Sequence, residues 1–257
     1  MPAASHPFVW YELLTTDPAA ARAFYAEVFG WTMRDSGLAE PQYTMISAGD
    51  REVGGLMELP PAALATGARP CWTGYIASDD VDADAARVMA AGGRTYCEPR
   101  DIPGVGRFAV MADPHGASFT LFRGNGEAMP PAAPAWTPGH VGWHELHAGD
   151  GPAAFDFYSG MFGWTKDQAL DMGPMGTYQI FAIDGAAVGG MMTKTPDMPH
   201  PMWLYYVTVK SVDATLARAT AAGAKLLMGP HEVPGGAWIV QCLDPQGAMF
   251  AMVGGRG

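Results

Sequence analysis

Two carboxylates in matched surroundings are the first residues able to do chemistry. Glu12 stands in Trp10-Tyr11-Glu12-Leu13, and Glu145 in Trp143-His144-Glu145-Leu146. Each follows an indole by two residues, and in a strand such residues share a face. A carboxylate beside indole rings is desolvated, which favours its protonated form and suits it to acid or base work. The structural alternative is a joint, in which each Glu accepts backbone or tyrosine hydrogen bonds where two halves meet. Pseudo-twofold symmetry would use both copies of such a residue. His147 shares the second face, where the first copy has Leu14. A side chain that titrates near neutrality can shuttle protons, and an interior histidine satisfied by hydrogen bonds is the alternative.

The remaining candidates are binders. Trp10, Trp143, Tyr75 and Tyr206 offer flat walls for planar or apolar ligands, with plain core packing as the alternative. Arg107 pairs in the repeat with Trp238. An arginine pointing into a pocket would grip a carboxylate, phosphate or enolate, and otherwise it pairs with Asp101 or Asp113 at the surface. Trp238 would fill or line the other pocket. The cysteines are Cys71, Cys97 and Cys242, with no CxxC and no base beside them in sequence, so no thiol nucleophile is supported. GxGxxG, Walker, GxSxG and HExxH patterns are absent.

The elements that must position these residues come in a tandem repeat. From Val9 to Trp31 against Gly142 to Trp164, 11 of 23 positions are identical. From Pro70 to Phe122 against Pro201 to Val253, 19 of 53 are identical without a gap. Phe8 to Leu14 reads as a strand, with Trp10, Glu12 and Leu14 on one face. Asp17 then caps a helix that starts on Pro18 and stops at Gly30. Tyr43 to Ala48 and Glu52 to Glu58 form a hairpin, and Gly54-Gly55 inside it signals a bulge or a close approach. Trp72 to Ser78 is a strand, Val81 to Ala91 a helix, and three strands follow up to Phe122. Asp113 to Gly116 and Asp244 to Gly247 read as turns. Each half is thus a pair of βαβββ modules. The expected division is residues 1–123, a Pro/Gly-rich linker at 124–139, and 140–257, with each half able to bury a core of its own.

Composition narrows the partners. The formal net charge is −11, 49% of residues are hydrophobic and 16% are charged. This is a globular chain without the basic clusters that nucleic acid or acidic membrane binding needs. Unpaired cysteines, no signal peptide and no long apolar run point to a cytoplasmic protein. The expected partner is a small molecule, and the expected assembly a monomer or weak homodimer.

The Asp-capped helix with Phe-Tyr, the Phe-Gly-Trp stop, the Val-Asp helix and the Asp-Pro-x-Gly turn resemble the vicinal oxygen chelate superfamily of glyoxalases, extradiol dioxygenases and bleomycin resistance proteins. Trp-x-Glu-Leu and Asp101 to Val110 are similar to the two-unit glyoxalase-like proteins of the mycobacterial antigen group. The resemblance implies an α+β fold, with paired modules forming curved mixed sheets and helices outside. It also implies where metal-dependent members place their ligands. Those positions hold Trp10, Thr73 and Thr120 in the first half, and Trp143, Leu204 and Ala251 in the second. Indole and alkyl groups offer no lone pair, and a lone Thr hydroxyl is a poor ligand. The expectation is therefore no metal and no cofactor, with Thr73 and Thr120 lining a pocket. A small-molecule binding protein is expected, and a lyase, isomerase or dioxygenase is the alternative.

Overall fold

Each of the four modules opens on a strand that feeds a capped helix. The computed structural model describes residues 6–37, 41–126 and 133–257. The first module holds β1 (Phe8–Thr15), α1 (Pro18–Phe29), β2 (Thr32–Asp35), β3 (Tyr43–Ala48) and β4 (Arg51–Glu58). A short helix, α2 (Pro61–Ala65), leads to β5 (Cys71–Ala77), α3 (Val81–Ala90), β6 (Arg94–Ile102), β7 (Gly106–Ala112) and β8 (Ser118–Gly124). The second half repeats this as β9 (Val141–Ala148), α4 (Gly151–Phe162), β10 (Thr165–Asp171), β11 (Thr177–Ile183) and β12 (Ala186–Thr193). The last module is β13 (Met202–Ser211), α5 (Val212–Ala221), β14 (Lys225–Glu232), β15 (Trp238–Leu243) and β16 (Met249–Gly255). The α+β class and the four βαβββ modules agree with the sequence reading. The short polar strand β2 and helix α2 were not anticipated.

Local chemistry sets the helix ends. Asp17 and Asp150 each accept a backbone N–H three residues on, at 3.0 and 2.9 Å. That satisfies one of the donors a helix start leaves open. Gly30 and Gly163 close these helices with φ near +70°, a conformation that costs glycine nothing. Within every module the opening strand lies parallel to the closing one, as β1–β4, β5–β8, β9–β12 and β13–β16. The other pairs are antiparallel. The order within the first module is β2-β3-β4-β1, and within the last β13-β16-β15-β14.

The compact units divide the chain differently from its repeat. One unit takes Met1–Val9, Gly74–Ala132 and His144–Trp203. The other takes Trp10–Thr73, Ala133–Trp143 and Leu204–Gly257. The core of the latter mixes Leu13, Phe24, Tyr25, Val28 and Ile46 with Val207, Val240, Phe250 and Met252. Neither repeat therefore encloses its core alone. The physical reason is that one helix on a small half-sheet leaves large aromatic side chains uncovered, and each fully buried one contributes about 1.5–3 kcal/mol.

Two hydrogen-bonded latches mark this sharing of cores. In one unit the Tyr25 hydroxyl donates to Asp244 at 3.0 Å and accepts from Trp72 at 2.9 Å. In the other, Tyr158 donates to Asp113 at 3.4 Å and accepts from Trp203 at 2.9 Å. Burial, then the Asp244 charge, pushes the Tyr25 hydroxyl well above its ordinary pKa. Asp113 and Asp244 also accept the backbone N–H groups of their own turns, as an Asp-Pro turn requires. Around Tyr25, a cavity of about 20 Å³ is lined by Tyr11, Trp31, Trp72, Tyr205 and Phe250. It has room for roughly one water molecule. Among the described residues, no helix is long and apolar enough to cross a membrane.

Candidate functional site

Strand alternation sorts the site residues. Leu13 packs into the core against α1, which turns Trp10, Glu12 and Leu14 to the other face of β1. There Trp10 Nε1 donates to the Tyr43 hydroxyl at 2.8 Å, and the hydroxyl is hydrogen-bonded to the Glu12 carboxylate. Burial, then the charge of Glu12, raises the Tyr43 pKa far above its ordinary value. Glu12 is buried, at 7% exposure. Cys71 is also close enough to feel it: burial, then Glu12, pushes the thiol up to about 11. A thiol so placed is a poor nucleophile.

Gly55 makes this arrangement possible. A Cβ there would overlap the Tyr43 ring, and one on Gly54 would run into the Tyr11 carbonyl. The glycine pair in the sequence is thus a close approach, by a ring on one side and a paired strand on the other.

The third module builds the same frame and changes one part. A Cβ on Gly190 would overlap the Tyr178 ring. The Tyr178 hydroxyl donates to Glu145 Oε2 at 3.1 Å. His147 Nε2 lies 2.8 Å from Glu145 Oε1, with both side chains 10% exposed. The contact is close but off the N–H direction, so Nε2 has no aligned hydrogen bond. It is an ion-pair distance without an in-line bond.

His144 faces the opposite way. It stacks on Phe8 at 4.3 Å, and its Nδ1 meets the Val188 carbonyl at 2.8 Å. Burial lowers its pKa to about 4, so it is a neutral structural residue at ordinary pH.

The other candidates separate by face. Tyr206 is 1% exposed and its hydroxyl accepts from Gln241 at 2.6 Å. Tyr75 packs edge-on against Phe122 at 5.8 Å and pairs in register with Thr120. Among the described residues, the buried Thr73 and Thr120 hydroxyls have no hydrogen-bond partner. Trp143 stacks on Trp136 at 6.2 Å. Arg107 and Trp238 do not take the pocket-facing roles expected of them. Arg107 donates to both oxygens of Asp82 on α3 at 2.6 and 2.7 Å and to Asp101 at 3.0 Å. Trp238 lies against the helix-side core, with Arg256 over its ring at 4.7 Å. Both occupy the helix-side parity of their strands, with Ala109 and Val240 two residues on in the interior.

The positions tied by resemblance to metal ligands can be tested in the second half. Trp143, Leu204 and Ala251 do come together, in one small cluster with Tyr206 and Val253. An indole, an isobutyl and a methyl group supply no donor to a divalent ion, so these residues do not fit a metal. Among the described residues, no three His, Cys, Asp or Glu are grouped so as to hold one.

Tandem βαβββ modules, with a buried carboxylate on β1 and on β9, define a class. The chain belongs to the Glyoxalase/Bleomycin resistance protein/Dioxygenase superfamily, whose family model matches residues 8–121 and 137–252. It is 32% identical to the protein CFP32 of Mycobacterium tuberculosis (strain CDC 1551 / Oshkosh) over 247 residues, 95% of this chain and 93% of that one. It is 34% identical to the anthracycline biosynthesis protein DnrV of Streptomyces peucetius over 259 residues, 95% of this chain and 91% of that one. Among solved structures, the Mn(II)-bound glyoxalase from Novosphingobium aromaticivorans is similar with a TM-score of 0.62 at 20% identity, covering 98% of this chain and 82% of that one. At that identity the likeness concerns the fold.

Proposed function

We propose that this chain binds a planar aromatic small molecule through aromatic walls and a Glu–Tyr pair, without a divalent metal. The observation that carries the reading is the cluster of Trp143, Leu204 and Ala251. The place where metal-dependent relatives coordinate an ion is a cluster of apolar side chains here, edged by the partly buried ring of Trp143. In the same unit, the Glu12–Tyr43 pair supplies the few polar groups that fix orientation. Kinship with an anthracycline biosynthesis protein supports the ligand class, since an anthracycline carries a flat fused-ring core.

The test is quenching of tryptophan fluorescence by 2-methoxyanthraquinone. Saturable binding is expected, weakened about tenfold or more by Glu12→Gln if the carboxylate orients the ligand. Absence of binding by any planar quinone would remove the proposal. A second reading, an enzyme of the lyase, isomerase or dioxygenase type, is favoured by one observation, the imidazole of His147 held against Glu145.

A further inference from the structure

Trp136 sits where local backbone chemistry disfavours a tryptophan. It is the third residue of a four-residue turn, Pro134 to Thr137, closed by the Thr137 N–H donating to the Pro134 carbonyl at 3.2 Å. Its φ is +62°, and a turn with positive φ at that place ordinarily takes Gly or Asn, because a Cβ there crowds the backbone. Among the described residues one other non-glycine has positive φ, Asp184, and Asp tolerates it. The turn is held from several sides. The Thr137 hydroxyl also donates to the Pro134 carbonyl, at 2.6 Å. The Gly139 N–H donates to the Thr208 carbonyl and the Thr208 N–H to the His140 carbonyl, both at 2.8 Å. A strained backbone persists only where its surroundings over-determine it, and such strain gathers at ligand contacts.

The indole held this way is 51% exposed. Part of its ring rests on Gly142, where a Cβ would come within 3.1 Å of it. The ring also stacks on Trp143, with centroids 6.2 Å and planes 14° apart. That is near the wide end of the roughly 4.5–7 Å range over which aromatic pairs attract, so neither ring covers the whole face of the other. Trp143 in turn packs on Leu204, Tyr206, Ala251 and Val253, the cluster that carries the ligand-binding reading. All of these residues belong to one compact unit. A large apolar ring kept half exposed at the edge of that cluster, at a backbone cost, offers stacking surface to a further ring. We propose that Trp136 is the outer wall of the ligand site, and that a planar fused-ring ligand stacks on its indole. The inference rests on the ligand-binding reading above and adds the residue that takes a ring face from the solvent side.

Binding of 2-methoxyanthraquinone is measured by equilibrium dialysis, and stability by chemical denaturation. Trp136→Asn removes the indole and suits the left-handed turn. It should weaken binding by about tenfold with no loss of stability. Trp136→Phe keeps a ring and should bind within about threefold of the unsubstituted protein. In the unsubstituted protein, saturating ligand should slow hydroxyl-radical oxidation of Trp136 severalfold. The reference, read by peptide mass, is Tyr96, which is 59% exposed and belongs to the other unit. Unchanged affinity in Trp136→Asn, or unchanged oxidation of Trp136 with ligand bound, would overturn this inference and leave the binding reading standing. Weaker binding with an equal fall in stability in both variants would make the indole a structural support and overturn it too. Failure of the unsubstituted protein to bind the quinone would remove the binding reading along with it.

Discussion

The modules that open on β1 and on β9 share a glutamate, a tyrosine across the sheet and a glycine beneath the tyrosine ring, and they part at a few positions. In the first, Trp10 donates to Tyr43 and the place of His147 is held by Leu14. In the third, the indole of Trp143 turns to stack on Trp136, and an imidazole joins the carboxylate. The duplication has kept the scaffold that holds a buried carboxylate and changed what lies against it. The likeness of the two modules is therefore about position, and their difference is about chemistry.

The largest effect should come from the part they share. Gly55→Ala and Gly190→Ala each force a methyl into a tyrosine ring, and each should cost about 2–3 kcal/mol in chemical denaturation. A neutral result at either site would mean that its tyrosine can leave without penalty. Next comes a pH effect confined to the second half. The unfolded His144 takes a proton below about pH 6.5, whereas the folded one resists until about 4. The stability is thus present above 6.5 and lost as pH falls toward 4, by at most about 3 kcal/mol. Its counterpart Tyr11 is buried, with its hydroxyl raised far out of that range. Denaturation midpoints measured from pH 4 to 7 should show a shallower fall in His144→Gln, and parallel curves would contradict the assignment.

A smaller contrast lies in the latches. Tyr25→Phe should lower stability by about 1–2 kcal/mol, and Tyr158→Phe by less, because its bond to aspartate is 3.4 Å against 3.0 Å. Equal losses would show that the longer bond is no weaker. The smallest effect is on Cys71. Glu12→Gln removes the second cause of its raised pKa, so alkylation of that thiol should quicken by less than about tenfold. Glu145→Gln should leave the rate alone.

Much of this was legible in the sequence for a physical reason. Helix caps, stop glycines and Asp-Pro turns are local, so Asp17, Gly30 and Asp113 announce themselves through their neighbours. The Gly54-Gly55 pair also announced a close approach, although nothing local says that Tyr43 is the ring involved. Arg107 and Trp238 show the limit. Aligning the halves matches their positions but does not say which face of the strand is covered by a helix, and both proved to face the helices. Nor does a repeat reveal which module covers which core. The partnership of Tyr25 with Asp244 spans 219 residues and leaves no local trace. The short strand β2, Thr-Met-Arg-Asp, has a single apolar residue, Met33, between exposed polar ones, so it lacks the repeated apolar alternation that marks a strand.

The central claim is that side chains, rather than a cation, hold the ligand. It is tested most directly by measuring 2-methoxyanthraquinone affinity on protein stripped by a strong chelator and on the same protein resupplied with Mn, Fe, Zn or Ni, with metal content determined in parallel. The account predicts equal affinities and substoichiometric metal throughout. Affinity that disappears on stripping and returns with one equivalent of a metal would contradict it.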